Sequence, residues 1–195
     1  MAVAKQVAYI EVDQVTVETL IDGTDVVGGT AEYEDPIHIP DIMELTVNLE
    51  VRSVRREGDA RVKGVYAKVI AATGTIRHNS VPLNALAAMG VGTLQASGST
   101  PNQRNVFTAS ANKALGYFRL TGRAVHVEGI DGIATGAKLV IPKCKLTGNI
   151  PFALNQEWAS MNSEFTAVAL ESEPGDVLYF EVEETQSDLF NPSTP

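Results

Sequence analysis

Strict alternation between apolar and polar side chains constrains this chain more than any other feature. In residues 46–52, Val47, Leu49 and Val51 alternate with polar side chains at every other position. A repeat of two residues places one class of side chain on each face of a β-strand. Short runs rich in Val, Ile and Thr recur along the chain, whereas helical periodicity is scarce. The sequence therefore predicts a mainly β protein.

Further strands are predicted from the same kind of pattern. They fall at residues 104–109, 115–127, 138–146, 164–170 and 177–183. Turn signals separate them at residues 129–132, 147–149 and 173–176. Another alternating run starts at Arg61, and its phase shifts around Gly64, which would permit a bulge or a close approach of another backbone segment. Short strands separated in this way are typical of a β-sandwich or barrel.

One short helix interrupts the strands. Ser80 is suited to cap its start, Pro82 to occupy its first turn, and Gly90 to end it. The apolar residues between them share one face. This is the one helix that the sequence predicts.

The chain is long enough for a single domain with one core. It has 195 residues, of which 44% are hydrophobic and 20% charged. We divide it into an N-terminal strand or arm (1–19), a long loop (20–41), a β-sandwich core (42–185) and a C-terminal tail (186–195). The fold expected is a β-sandwich or barrel with one short helix, a long loop and extended termini.

The long loop at residues 20–41 has weak periodicity and several glycines and prolines. Loops of this length within compact domains usually carry a function or lack fixed structure. Two interpretations are open. The loop is either an arm that reaches a neighbouring subunit or a surface loop of a lone domain.

Charge is divided by segment. Residues 1–60 carry a net −9, residues 61–155 a net +9 and residues 156–195 a net −9, which gives the total of −9. Such segments suit contacts between acidic and basic surfaces of successive subunits, or they neutralise each other within one fold. A nucleic-acid surface in the basic segment is a weaker interpretation, because no aromatic repeat accompanies the charges.

Side chains for catalysis or metal binding do not form a known motif. The single cysteine, Cys144, has no zinc-type spacing to His78 or His126, and no nucleophile elbow occurs. Cys144 lies between Lys143 and Lys145, which face away from it in an alternating strand. We expect no enzymatic activity, no cofactor and no metal, and a buried, inert cysteine.

Targeting segments are not expected either. The first residues lack a basic stretch followed by an apolar run, so no secretory signal is predicted. The longest uncharged stretch, residues 79–103, contains prolines and many polar residues and is unsuited to a membrane helix. We therefore expect no association with a membrane.

Two blocks of sequence contain a distinctive series of short runs. The runs of the first block are LTVNL at 45–49, GTI at 74–76, VPLNAL at 81–86 and Gly90, with a turn at 57–58 and a long strand between the first two. The runs of the second block are YFRLTG at 117–122, LVIPKCK at 139–145, IPFAL at 150–154 and VLYFEVEET at 177–185. In order, spacing and residue character these blocks resemble the tail-tube (major tail) proteins of long, non-contractile-tailed bacteriophages.

The resemblance implies a virion structural protein that is made in the bacterial host cytoplasm and self-assembles. Hexameric rings would stack into a hollow tube, with tape-measure, terminator and distal-tail proteins as further partners. Double-stranded DNA would pass through the lumen without tight binding. A conduit of this kind favours an acidic or neutral wall, because cationic walls bind the DNA backbone.

The charged cluster at residues 55–59 is expected to form an exposed turn. The resemblance also implies that the long loop (20–41), this turn and both chain ends join subunits. The candidate inter-subunit residues are Gly28, Gly29, Tyr33, Ile37, Ile39, Arg55, Arg56, Glu57 and Asp59. Two alternatives stay open. One is another phage tail component of the same fold, namely a distal tail, terminator or contractile-tail tube protein. The other is a β-barrel module that binds a ligand or nucleic acid.

Overall fold

The computed structural model describes residues 11–58, 61–79, 82–111, 114–125, 136–150 and 161–183. These ranges contain one helix, α1 (Leu83–Ala88), and ten strands. In chain order the strands are β1 (Glu11–Thr19), β2 (Ile37–Ile39), β3 (Ile42–Gly58), β4 (Arg61–His78), β5 (Thr93–Ser97), β6 (Arg104–Thr108), β7 (Phe118–Val125), β8 (Gly136–Leu146), β9 (Met161–Ala167) and β10 (Tyr179–Glu183).

Eight strands form one antiparallel sheet in the order β2-β1-β7-β8-β9-β4-β3, with β10 also paired to β8. Strand β8 pairs with β10 through Gly136–Val140 and with β9 through Cys144–Leu146. The sheet also folds back on itself, since a Cβ placed on Gly122 of β7 would lie 2.6 Å from Leu45 Cδ2 of β3. The prediction of a mainly β, sandwich- or barrel-like fold with one short helix is confirmed.

The core lies between the folded halves of the sheet and is closed at one side by α1. Alternate residues of the central strands fill it, as the period of two predicts. Its largest fully buried apolar side chains are those of Phe118, Phe165, Ile39, Ile76, Leu86, Met89, Leu120, Ile141, Val15 and Val17. Helix α1 ends at Ala88 with Met89 as its C-cap, and Gly90 follows with a φ of 78°, which glycine adopts readily. Ser80 lies outside the described residues.

Strand β3 is longer than the sequence indicated. Residues 55–59 are expected to form an exposed turn, yet Arg55, Arg56 and Glu57 belong to β3, which continues to Gly58. The alternating run after Arg61 supplies a paired residue for each of them, so the ladder extends. Of the two possibilities at Gly64, the structure shows a register shift between the Arg56–Gly64 and Glu57–Val62 pairs, as a bulge produces. Asp59 lies outside the described residues.

The long loop contains a short strand that its weak periodicity concealed. Strand β2, Ile37–Ile39, pairs with β1 through Val15, Thr16 and Val17. Three residues are too few to display an alternating pattern. The predicted turn at 129–132, the C-terminal tail at 186–195 and residues 1–10 of the N-terminal arm lie outside the described residues.

Gly74 marks the closest approach inside the sheet. A Cβ at this position would overlap the Thr46 carbonyl oxygen and lie 2.5 Å from Phe165 Cζ. We expect Gly74→Ala to lower the free energy of unfolding by about 2–3 kcal/mol, because neither backbone nor buried ring can retreat. Urea denaturation measures this loss.

Gly116→Ala is the matched control, because the nearest atom to its added Cβ is 3.8 Å away. We expect it to change stability by less than about 0.5 kcal/mol. Equal losses in the two variants would contradict a steric origin at Gly74.

Candidate functional site

The β3–β4 hairpin runs beyond the rest of the sheet. Strand β9 pairs with β4 only along Ala72–His78, and β3 forms the edge of the sheet. Residues 49–58 and 61–70 therefore form a two-stranded ribbon, which we call the projecting hairpin. Within the described ranges no third strand pairs with it.

One face of the projecting hairpin is largely apolar, interrupted by Ser53 and Arg55, and continues the face that covers the core. Val47 and Leu49 of β3 stand opposite Gly74 and Ala72 of β4 on that face. Leu49 and, further out, Val51, Val65 and Val69 lie on this face, and their exposed fractions are between 44% and 62%. The alternation that buries the near part of the strands thus leaves the far part uncovered by any described residue.

The opposite face of the projecting hairpin is mixed in character. Glu50, Arg52 and Lys68 supply its charges, and an exposed Val54–Tyr66 pair lies further out. A two-stranded hairpin has marginal stability in water by itself. Contiguous exposed apolar surface is typical of interaction sites. The projecting hairpin therefore has the character of a surface that a partner covers.

Residues 20–36, which we call the anchored loop, are fixed to the outer face of the sheet. The Asp25 carboxylate accepts hydrogen bonds from Lys143 Nζ at 2.6 Å, from the backbone N–H groups of Glu171 (2.7 Å) and Ser172 (2.9 Å), and from Ser172 Oγ at 3.1 Å. The side chains of Asp25 and Lys143 are both buried. One loop residue is thereby tied to two other parts of the chain.

Electrostatics favour the charged form of Asp25. Burial alone would raise its pKa, but the hydrogen bonds from Lys143 and Ser172 outweigh this effect and hold the pKa below 3.8. A buried ion pair costs desolvation when it forms, whereas removing one partner strands the other charge. The pair therefore specifies where the loop sits more than it adds to stability.

Tyr33 forms a second anchor. Its hydroxyl donates to the Pro142 carbonyl oxygen at 3.0 Å, and its ring lies under the Arg119 guanidinium, 4.0 Å from its centroid. Arg119 is also ion-paired with Glu18. Burial raises the pKa of Tyr33 to about 12, so its hydroxyl remains a donor at neutral pH. The contacts of Tyr33 are therefore made within its own subunit.

The apex of the anchored loop, directly after Asp25 in the chain, is exposed. Val27 is 86% exposed, and Ile21 and Val26 are also exposed. Gly28 has a φ of 77°, and a Cβ on Gly29 would lie 2.8 Å from Val26 Cγ2, so both glycines shape the apex. The loop combines a fixed base with an apolar tip.

The candidate inter-subunit residues fall into different environments. Gly28 and Gly29 lie in the exposed apex, whereas Ile37 packs against the core and Ile39, 1% exposed, belongs to it. Arg55 is exposed on the projecting hairpin. Arg56 and Glu57 lie on the same strand, and Asp59 is outside the described residues.

Several exposed apolar residues were not among the candidates. They are Val26, Val27, Leu49, Val51, Val65 and Val69. The alternation around Val51 places it on an apolar face. The alternation does not show whether this apolar face is buried or exposed in the folded chain.

Cysteine and histidine side chains do not assemble into a site within the described residues. Cys144 is buried in the core, and burial raises the pKa of its thiol. Lys143 and Lys145 both lie over the Tyr117 ring, on the opposite face, as the alternation predicted. His38 is exposed and His78 is buried, while His126 lies outside the described ranges.

Within the described residues, no group of three or more His, Cys, Asp or Glu side chains is placed to hold a metal ion. In this part of the chain, no helix has the length and apolar character needed to cross a membrane. Neither a known family model nor a curated protein sequence matches the chain.

The Asp25 anchor yields a prediction for stability and for loop protection. We expect Asp25→Asn to lower the free energy of unfolding by about 3 kcal/mol, because Lys143 loses its closest carboxylate. Hydrogen exchange at the amides of Gly29 and Glu32, which are bonded within the loop, should accelerate. Asp22→Asn, at an exposed position of the same loop, serves as the control.

The pH dependence follows from the lowered pKa of Asp25. Its stabilising contribution is fully present above 3.8, the ordinary value, and is lost as the pH falls through the lower folded-state pKa. Unfolding titrations of wild type and Asp25→Asn should therefore converge in acid. A constant difference down to the lowest pH would exclude this origin.

Proposed function

We propose that this chain is a structural subunit that self-assembles, and that its assembly is the tail tube of a long-tailed bacteriophage. The projecting hairpin is the observation that carries the first part. Its apolar face continues the core face and is exposed at Leu49, Val51, Val65 and Val69. A second copy of the chain would cover this face and complete the sheet sandwich at the interface.

Edge strands support the same proposal. Strand β3 is an edge of 17 residues, long enough to pair without control with other chains. Ring closure gives such an edge a defined partner. Assembly would therefore cover the edge strand β3 and keep it from pairing with further chains.

The tail tube itself is proposed from the resemblance of residues 45–90 and 117–185 to tail-tube proteins. A mainly β sandwich with one flanking helix is what that resemblance implies. A net charge of −9 per subunit also suits a conduit, because a wall rich in cations would bind the DNA backbone and slow its passage. In this role the subunit has no catalytic task.

Assembly is tested by negative-stain electron microscopy of the purified protein over a range of concentrations. We expect rings with six-fold symmetry in end views and tubes with a uniform lumen at higher concentration. Val51→Asp and Val69→Asp should each abolish assembly, because a carboxylate on the apolar face would be buried without a partner. Their monomers should unfold within about 0.5 kcal/mol of wild type, since both positions are exposed.

Arg52→Asp is the matched control, since it introduces the same side chain on the opposite face of the same strand. Assembly should persist in it. A wild-type protein that stays monomeric at high concentration, even with other tail proteins present, would overturn the proposal. Salt-sensitive binding of duplex DNA by that monomer would favour a binding module, for which a polar groove of about 340 Å³ lined by Arg119, Arg123 and Lys138 is the candidate site.

A further inference from the structure

Four polar groups converge on the carboxylate of Asp25. Lys143 Nζ lies 2.6 Å from Oδ2, whereas the N–H groups of Glu171 and Ser172 and the Ser172 hydroxyl lie 2.7–3.1 Å from Oδ1. The Glu171 carboxylate also lies 3.7 Å from Lys143 Nζ. An amine, a carboxyl group and a second carboxylate thus meet at one place. These are the groups from which an amide bond between two side chains can be made.

Separate parts of the chain build this site and restrict the access of water to it. Lys143 belongs to β8, Asp25 to the anchored loop, and Glu171 follows β9. The side chains of Lys143 and Asp25 are only 9% and 6% exposed, while Glu171 lies at the open side of the site. The ring centroid of Tyr117 is 4.9 Å from Nζ, so an aromatic face borders the amine. An amide formed here would be protected from hydrolysis, because water has little access to it.

The amine and the carboxyl carbon are close enough to react. Cγ of Asp25 lies one covalent bond beyond Oδ2, so its separation from Lys143 Nζ exceeds 2.6 Å by no more than that bond. Reacting groups held about 3–3.5 Å apart gain effective concentrations of roughly 10⁵–10⁸ M. Concentrations of this size favour a bond that a free amine and a free carboxylate do not form in water.

The hydrogen bonds to Oδ1 suit the intermediate of such a reaction. When an amine adds to a carboxyl carbon, negative charge develops on the oxygen that stays. Oδ1 of Asp25 accepts from two backbone N–H groups and the Ser172 hydroxyl, whereas among the described residues Oδ2 accepts from Lys143 Nζ alone. The donors around Oδ1 are arranged as an oxyanion hole. This asymmetry determines which oxygen stays and which one leaves.

We propose that Lys143 and Asp25 form an intramolecular isopeptide bond without the help of an enzyme. The reaction releases one water molecule and needs no oxidant or further reagent. It would close a covalent ring between positions 25 and 143 and fix the anchored loop to β8. Both groups belong to one chain, so the bond does not depend on self-assembly.

The resting pair is ionised, and the reaction starts from its neutral form. Burial raises the pKa of Asp25, but the hydrogen bonds from Lys143 and Ser172 hold the pKa below 3.8. A proton must therefore first cross from Nζ to Oδ2, because an ammonium has no free electron pair and a carboxylate resists attack. The neutral pair is a minor form, so the bond forms slowly after folding. The predictions given above for Asp25→Asn concern the ionised pair, which precedes the bond.

Glu171 carries the remaining proton from nitrogen to oxygen. The electron pair of Nζ forms a bond to Cγ of Asp25 while a C=O electron pair moves onto Oδ1. The Glu171 carboxylate takes one proton from the new N–H₂⁺ group and passes it to Oδ2. Oδ2 leaves as water, the C=O bond to Oδ1 forms again, and Glu171 returns to a carboxylate. An ammonium and a carboxylate have then become a neutral amide and one water molecule.

Intact-mass spectrometry of the purified full chain measures the reaction. We expect a species that is lighter than the sequence mass by one water molecule, and its fraction should rise while freshly prepared protein is incubated. The rate should be independent of protein concentration, because both groups lie in one chain. Trypsin should release a branched peptide that joins residues 6–52 to residues 139–145, since cleavage after Lys143 is blocked.

The branched peptide distinguishes this bond from other losses of water. Two Asp-Gly pairs, Asp22–Gly23 and Asp131–Gly132, are able to close to a succinimide with the same change in mass. A succinimide stays within a linear peptide. Loss of water without the branched peptide would overturn the proposal, and so would an unchanged mass after prolonged incubation.

Three variants assign the roles of the groups. Lys143→Arg keeps a cation beside Asp25 but supplies no amine for the amide, so it should give no branched peptide. Glu171→Gln should slow the reaction by about a hundredfold or more, because the proton acceptor is lost. Lys145→Arg is the matched control and should react like wild type, since Lys145 borders the same Tyr117 ring but pairs with no carboxylate of the described residues.

Hydrogen exchange reports whether each variant is folded. Glu171 is 65% exposed, so Glu171→Gln should fold even if Lys143→Arg does not, and its rate then decides the outcome. A branched peptide in folded Lys143→Arg, or a wild-type rate in Glu171→Gln, would overturn the assignment of these groups. Rings and tubes are needed for neither result. Failure of self-assembly would therefore leave the bond standing, and failure of the bond would leave self-assembly standing.

Discussion

The pleat of the β3–β4 hairpin is the constraint on which the remaining structure depends. Successive side chains of a strand point to opposite faces, so an apolar face that starts over the core stays apolar as the strands run on. In this chain β9 stops pairing at Ala72, and the apolar face continues past that point through Val51 and Val69. The same pattern therefore makes both the core face and the exposed face of the two strands.

Polar contacts have a different task from apolar ones in this fold. The core holds the sheet together through apolar burial, whereas Asp25, Lys143 and Ser172 determine where a loop of little apolar content rests. A buried ion pair adds little net stability but penalises any arrangement that separates its members. The apolar pattern thus determines which residues form the sheet, and the paired charges determine where the loop lies on its surface.

Sequence reasoning recovered the elements that repeat and missed those that do not. The alternation gave β3 and β4 and the phase shift at Gly64, and the spacing of Pro82 and Gly90 gave α1. Strand β2 was missed because three residues hold no period. The Asp25 anchor joins residues about 120 and 147 positions apart, and no local pattern encodes such a pairing.

The anchor of the long loop also orders events during synthesis. Asp25 emerges early, yet its partners are Lys143 and the backbone at Glu171 and Ser172, which follow only after most of the chain. Until those partners are made, Asp25 lacks the groups that hold it, and the segment around Val27 is without this anchor. The anchored loop therefore reaches its final position late, after nearly all of the chain has been synthesised.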